Sequence, residues 1–430
     1  MLLEFVFENY RSFRDQTVLS MEAEGLSTQR DSLIKINNKH LLPAVALYGK
    51  NGGGKSNVIR ALWLSAQFIM NAQRTQHEKA TIPVHPFALN DYSSEEPSRF
   101  EYTFFYQGVK YVYGFSAHWT EITEEHLYHA PKGQRATVFQ RNRQTFHFPK
   151  NAAKRKKEMI SELVAPNQLF LAVACAMNEP TCIAAMSWFR ECLFFSRDYT
   201  DIPSQLIDHY NDGNMLKSIV SYAKQADLGI EDMTFDIKNE DIDIDNLSGR
   251  IPDDILQALS QFMNTLRQGD NNASEAKLRI GELQAISYHK GLNKDGTTHL
   301  YPLQLSDESD GTRKLMALAP AVEKALANGG VLIVDELEKE LHPLLAMVII
   351  SKFQSPTSNV NHAQLIFTTH NMEFLRKDFL RRDQLYFIDK DNTTGISELY
   401  SVNIGTNENV QKSYMAGKYG AIPNIELEGD

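Results

Sequence analysis

The chain has 430 residues, 42% hydrophobic and 23% charged, the balance of an ordinary soluble globular protein with room for more than one domain. Its formal net charge of −10 excludes a surface coated throughout in nucleic-acid-binding cations, but leaves room for a local basic patch. The three cysteines, Cys175, Cys182 and Cys192, form no C-x-x-C pair and sit in apolar sequence, so they read as buried free thiols in a reducing compartment.

Leu2–Asn9 alternates, with Leu3, Phe5 and Phe7 on one side and Glu4 and Glu8 on the other, which predicts a strand with one buried face. Glu4 also interrupts the opening apolar residues, so they do not read as a secretory leader, and no uncharged run reaches the length of a membrane span. The expected location is cytoplasmic. Tyr10–Phe13 reads as a turn and Gln16–Met21 as a second strand, a hairpin placed just before the most informative stretch of the chain.

That stretch is Gly49-Lys50-Asn51-Gly52-Gly53-Gly54-Lys55-Ser56, a G-x-x-x-x-G-K-S phosphate-binding loop. The apolar run Ala44–Tyr48 before it predicts a strand, and Asn57–Met70 after it carries the apolar face of a helix. Glycines let successive backbone N–H groups turn inward onto phosphate oxygens, and the helix start adds its positive dipole end. Gly49, Asn51, Gly52, Gly53, Gly54, Lys55, Ser56 and Asn57 are therefore the candidate phosphate contacts of a bound ATP. Lys55 would reach the β- and γ-phosphates and the Ser56 hydroxyl would ligate Mg²⁺. Arg11 and Arg14 in the preceding hairpin either touch phosphate or base or stay in solvent.

Phe87–Phe148 is β-rich: Phe100–Tyr106 and Lys110–Phe115 flank a tight Gln107-Gly108 turn, and Leu127–Tyr128 and Thr137–Phe139 suggest two more strands. Lys132–Lys157 holds nine Lys or Arg and no Asp or Glu, an asymmetry that suits either an acidic partner or a solvated face. Glu158–Gly229 reads as mainly helical. Glu231–Asp254 is acidic, with Asp241, Asp243 and Asp245 alternating along a solvated strand; Ile255–Leu266 reads as an amphipathic helix and Gly269–Asn272 as a loop.

Leu283–Tyr301 predicts two short strands around Asn293–Gly296. Ser309-Asp310-Gly311-Thr312 then opens a helix from Leu315 to Ala327, so Ser309 and Gly311 read as an N-cap or as a second anion site. Val331–Val334 is a buried strand ending in Asp335 and Glu336: Asp335 would hold Mg²⁺, and Glu336 would polarise the attacking water. Gln364–Thr369 is a second such strand, ending in His370, which could contact the γ-phosphate.

In this order the motifs resemble the ABC-type ATPase heads of the Rad50, SMC and RecF proteins, and more closely the AbiLi-like or RloA-like ATPases of phage defence, relatives of the Septu, PARIS and OLD ATPase subunits. Glu308–Thr312 is similar to the family's E-S-x-G-T signature, Asp335–Pro343 to its D-E-L-x-x-x-L-H-P stretch, and Tyr414–Pro423 to its C-terminal tail. Ser309–Thr312 departs from the L-S-G-G-Q of transporters, and Glu340 stands where many relatives carry Ser. The lobe-linking glutamine of other heads could be Gln140 or Gln168.

The resemblance implies an α/β fold with a mixed core sheet, an antiparallel β subdomain and a helical insertion. It divides the chain into an N-terminal lobe at 1–150, an insertion at 151–282 and a C-terminal lobe at 283–430. It also implies ATP hydrolysis with Mg²⁺, in a homodimer or higher oligomer in which Ser309 and Gly311 complete the site of the facing copy. The function it implies is regulation of a separate effector, such as a nuclease or TOPRIM-like protein, in abortive infection. A RecF-like DNA clamp is the alternative.

Overall fold

The computed structural model describes residues 1–25, 30–72, 81–150, 153–196, 206, 209–226, 229–242, 256–257, 260, 278–376, 379–402 and 408–422. Asp243 and Asp245, most of the Ile255–Leu266 helix and the Gly269–Asn272 loop lie outside the described residues. The chain forms two compact units, residues 1–196 with 321–430, and residues 197–320. This is not the three-part division read from the sequence: the helices between 154 and 192 belong to the first unit.

The first unit opens with β1 (Leu2–Glu8), β2 (Thr17–Ser20), β3 (Ile34–Ile36), β4 (Lys39–Leu41), β5 (Ala44–Gly49) and α1 (Lys55–Asn71). A meander follows: β6 (Ser98–Tyr106), β7 (Val109–Ala117), β8 (Ile122–Ala130), β9 (Ala136–Asn142) and β10 (Thr145–His147). Then come α2 (Lys154–Ser161), α3 (Phe170–Ala176), α4 (Pro180–Cys192) and β11 (Leu193–Phe195). The second unit holds α5 (Gly213–Ala226), β12 (Ile230–Ile242), β13 (Leu278–Leu292), β14 (Thr298–Gln304) and the start of α6 (Asp310–Asn328). The first unit resumes with β15 (Val331–Val334), α7 (Pro343–Gln354), β16 (Gln364–Thr368), β17 (Leu385–Lys390), β18 (Ser397–Ser401) and α8 (Val410–Met415).

Two large sheets make most of the first unit, as the mixed core and antiparallel subdomain read from the sequence require, and β3 and β4 form a separate small hairpin. Seven antiparallel strands run in the order β10-β9-β8-β7-β6-β1-β2. Six run in the order β11-β15-β16-β5-β17-β18, parallel except for β18. Gln364, fully buried at the start of β16, clips the sheets together: its Oε1 accepts from Leu2 N–H at 2.7 Å and its Nε2 donates to Leu2 O at 2.9 Å. In the second unit β12, β13 and β14 form an antiparallel sheet, longer than the two short strands expected there.

Local chemistry explains most of these elements. Gln107 and Gly108 both have positive φ, the backbone that a two-residue hairpin turn needs. β1 departs from its expected alternation because a bulge lies between Leu2 and Glu4. The extra residue switches faces, so Leu2 joins Phe5 and Phe7 in the main core while Leu3 packs with Ile34 and Leu41. Cys182 and Cys192 are buried and Cys175 is partly so, all as free thiols whose pKa burial raises. Among the described residues no single helix is long and apolar enough to cross a membrane; α3 and α4 are apolar together but bent by 109°.

The basic stretch Lys132–Lys157 is not one charged face. Arg141 shares the inward side of β9 with Phe139 and is buried. It lies 3.4 Å from the buried Glu125 carboxylate and donates to the Arg143, Ala165 and Pro166 carbonyls. Glu125 in turn accepts from the N–H groups of Phe170 and Leu171 at 2.7 and 2.9 Å, tying α3 to the sheet. Lys157 is also buried, donating to Val138 O at 3.2 Å and lying 3.6 Å from Glu179. Arg143 pairs with Glu121 and Lys154 with Glu158 at the surface.

Removing Arg141 strands a buried carboxylate, so Arg141→Ala is expected to cost about 3–5 kcal/mol of stability. Arg143→Ala breaks an exposed pair and should cost less than about 1 kcal/mol. Urea unfolding of the two variants checks this; similar midpoints would contradict the packing just described.

Candidate functional site

β5, β15 and β16 lie side by side and parallel, with Val334 level with Phe367 and Phe367 level with Ala46. Their carboxyl ends therefore open at one edge of the sheet, where ligands of such folds bind. Gly49-to-Ser56 leaves the end of β5, Asp335 and Glu336 leave β15, and Thr369 and His370 leave β16.

The loop after β5 is tightly enclosed on its protein side. A Cβ at Gly49 would fall 2.5 Å from Ile388 O. Gly54 has φ +120°, which L side chains rarely adopt, and its Cβ would meet Ser397 Oγ at 2.8 Å. A Cβ at Gly52, by contrast, would meet nothing within 4 Å. Gly54 offers no side-chain cap to α1, so the first N–H groups of the helix are left for a ligand. Lys55 is buried and donates to Gly49 O at 2.8 Å and Lys50 O at 3.2 Å, two of its three N–H groups. Ser56 and Asn57 are partly exposed in the first turn of α1.

Residues that no motif marked hold this loop in place. Ser397 Oγ, at the start of β18, is hydrogen-bonded to Gly53 O at 2.7 Å and to Ser12 Oγ at 2.8 Å. Ser397 N–H donates to Ser12 O at 2.7 Å, and Asn57 Nδ2 donates to Ser12 Oγ at 2.9 Å. Lys50 reaches across to β17, donating to Lys390 O at 2.9 Å and lying 3.0 Å from Asp389. The opening hairpin thus supports the loop through Ser12 and not through its arginines. Arg11 bonds Tyr10 OH, and Arg14 pairs with Asp15.

Across the sheet edge, one hydroxyl orders the acidic pair. Thr368 Oγ1 donates to Asp335 Oδ1 at 2.6 Å and accepts from Glu336 N–H at 2.7 Å. Glu336 has φ +49°, the left-handed region that non-glycine residues rarely enter, so the turn is held against its own backbone preference. Leu337 N–H donates to Thr368 O at 3.2 Å, and Glu338 Oε1 accepts from His370 N–H at 2.6 Å. Tyr48 OH donates to Asn371 O at 2.9 Å, a second tie on the segment that carries His370.

These groups feel one another. Burial lowers the pKa of Lys55, and the carboxylates of Asp335, Glu336 and Glu338 pull the other way. Local desolvation, then the charge of Lys55, lowers His370 below its ordinary value, which keeps the imidazole neutral at neutral pH; Glu338, Glu336 and Asp335 oppose this. Among the described residues no three His, Cys, Asp or Glu side chains converge on a point. That suits Mg²⁺ held by one carboxylate and one hydroxyl with phosphates completing its shell, and it does not suit an all-protein metal cage.

Residues 44–157 and 180–376, well over half of the chain, match the family model described as "AAA domain, putative AbiEii toxin, Type IV TA system". The chain belongs to this AAA-domain family. No curated protein matches the AAA-domain chain in sequence. The solved structures similar to it include two Smc heads. One is titled "Crystal structure of the SmcHead bound to the C-winged helix domain of ScpA", with 12% identity, 93% of this chain and 97% of that one covered, and a TM-score of 0.41. The other is the Smc head domain with an extended coiled coil bound to the C-terminal domain of ScpA, derived from Pyrococcus furiosus, with 12% identity, 97% and 98% coverage, and a TM-score of 0.36.

Ser309 and Gly311 stand in the second unit of the AAA-domain chain. Ser309 Oγ accepts from Thr312 N–H at 3.1 Å and bonds Thr312 Oγ1 at 2.8 Å, as an N-cap does. Glu308, just before it, is buried between the Ser287 hydroxyl and His289 Nε2 of β13. Gln140 bonds Tyr128, and Gln168 Oε1 accepts from Ala165 N–H, both local roles.

Gly54→Ala should cost about 1–3 kcal/mol through backbone strain, and Ser397→Ala about 1 kcal/mol through the lost hydrogen bonds. Because Ser397 Oγ is also the atom that the new Cβ would strike, the double variant should lose less than the sum. Denaturant midpoints of the three variants test this; strict additivity would mean that the hydroxyl does not limit the space at Gly54.

Proposed function

We propose that this chain is an ATP-hydrolysing, ABC-type head that acts as a switch for a separate effector. The observation that carries the reading is the proximity of Lys55, Asp335, Glu336 and His370 at the carboxyl ends of adjacent parallel strands, close enough that Lys55 and His370 each feel both carboxylates. The backbone N–H groups of Gly52–Ser56 and the Lys55 ammonium bind the phosphates of ATP. Ser56 and Asp335 hold Mg²⁺, which when bound neutralises charge on the β- and γ-phosphate oxygens. Glu336 orients and polarises the attacking water, and the neutral His370 donates a hydrogen bond to the γ-phosphate.

Ser309 and Gly311 flank Asp310, whose carboxylate pairs with Arg313, and the Ser309 hydroxyl with the N–H groups of the helix start suits the γ-phosphate of a second copy, so that two ATP molecules join two heads with two-fold symmetry. Loss of the γ-phosphate then removes contacts on both sides and loosens the pair. The family's description as a putative toxin of a type IV toxin–antitoxin system supports a place in abortive infection and phage defence, alongside the AbiLi-like and RloA-like resemblance. In that reading the head licenses a nuclease or TOPRIM-like partner.

Glu336→Gln should bind ATP with wild-type affinity yet lose about 100-fold or more in hydrolysis, the usual size of a lost general base. Lys55→Ala should lose binding itself. Ser309→Arg should abolish ATP-dependent crosslinking of two heads without weakening ATP binding to one. Hydrolysis at the wild-type rate by purified Glu336→Gln would overturn the assignment. Copurification of the neighbouring gene product separates the effector reading from a DNA clamp, for which salt-sensitive DNA binding would replace the partner.

A further inference from the structure

Glu338 belongs to none of the roles above, yet its environment is unusual for a side chain in a surface turn. One carboxylate oxygen, Oε1, accepts from the His370 backbone N–H at 2.6 Å. The other, Oε2, is buried and takes no hydrogen bond among the described residues. A buried carboxylate oxygen left without a donor is costly, and such a group persists where something else in the site requires it.

Besides the Thr368–Asp335 hydrogen bond, three more among the described residues stitch the turn after β15 to the end of β16. Two run to Thr368, from Glu336 N–H and Leu337 N–H, and they cannot be removed without disturbing Asp335, which the same threonine holds. The third is the contact between Glu338 and His370. It reaches past Thr368 to the residue facing the phosphate, and it is made by a side chain to which the proposed site gives no ligand role.

We infer that Glu338 is a positioning residue that joins the His370 segment to the Asp335–Glu336 turn, so that the imidazole and the water-polarising carboxylate move as one body. The inference rests on the ATP-hydrolysing reading of the site and adds to it a mechanical link. His370 stays placed for the transition state only while Glu338 grips its amide. When the γ-phosphate leaves, a displacement of His370 is passed directly to the turn that continues into Leu341, His342 and α7.

The full-length protein tests this. Glu338→Ala should lower kcat about 10-fold or more with KM for ATP within about twofold, the signature of an interaction used in the transition state. His370→Ala should fall by a similar factor, and the double variant should be no worse than His370→Ala alone, because the two residues act through one contact. Glu338→Gln keeps an oxygen acceptor for the amide and should regain most of kcat. Multiplying effects in the double variant, a change confined to KM, or a Glu338→Gln variant as slow as the alanine would each overturn the link. Amide hydrogen exchange at His370 gives an arm independent of turnover: the amide should be protected in the wild type and in Glu338→Gln, and exposed in Glu338→Ala. Equal exchange in wild type and Glu338→Ala sinks the inference whatever the kinetics. Undiminished hydrolysis by Glu336→Gln sinks the reading of the site instead.

Discussion

β5, β15 and β16 are hydrogen-bonded neighbours that run the same way and stop at the same edge of the sheet. Every chemical feature of the first unit depends on that alignment. A parallel ladder presents no side chains of its own at its carboxyl edge, only the chain ends that leave it. Because the strands are buried throughout, their register is held by packing on both faces, and a slip of one residue would carry Asp335 or His370 away from Lys55. The site is therefore as rigid as the core beneath it, although its residues lie far apart in sequence.

Rigidity at the edge comes from small polar side chains rather than from more apolar packing. Thr368 uses a single hydroxyl to hold the Asp335 carboxylate and the Glu336 backbone. Ser12 and Ser397 do the same for Gly53 and Asn57. Such hydroxyls occupy little space, rotate to suit donor or acceptor, and satisfy backbone groups that a glycine loop leaves open. They also connect the two ends of the chain to its centre: Ser12 comes from the opening hairpin and Ser397 from the closing one. The phosphate-type loop thus has its conformation only in the complete first unit, where β1, β5 and β18 are all in place.

The sequence was most legible where function needs a contiguous pattern. The loop from Gly49 to Ser56, the strand ending in Asp335-Glu336 and the strand ending at His370 each carry their chemistry and their local structure within about ten residues, so periodicity and glycine placement suffice. Ser12, Thr368, Glu338, Gln364 and Ser397 were illegible because each acts alone through a distant partner. The basic stretch misled for a different reason. Charge was counted along the chain, whereas burial follows the period of the element. Phe139 and Arg141 stand two apart on one strand, and Lys157 and Ile160 three apart on one helix, so both cations fall on inward faces and are paired there. The bulge in β1 gave no signal at all, since Leu2 and Leu3 are equally apolar and either can face the core.

The charge balance at the sheet edge bears on what can bind there. Three carboxylates, from Asp335, Glu336 and Glu338, act on a single lysine, and the nearby imidazole is held toward its neutral form. A polyphosphate brought alone to such a place would meet attraction from Lys55 and the helix start, and repulsion from three carboxylates. Backbone N–H groups offset part of that repulsion but carry only partial charge. In the proposed function a divalent cation held by Asp335 would offset that repulsion, so nucleotide and metal would favour entering together. In the proposed reaction the same balance would suit release: a terminal phosphate separated from the diphosphate would face the charge of Glu336, the carboxylate proposed to polarise water, and of its neighbour Glu338, and both would favour its departure.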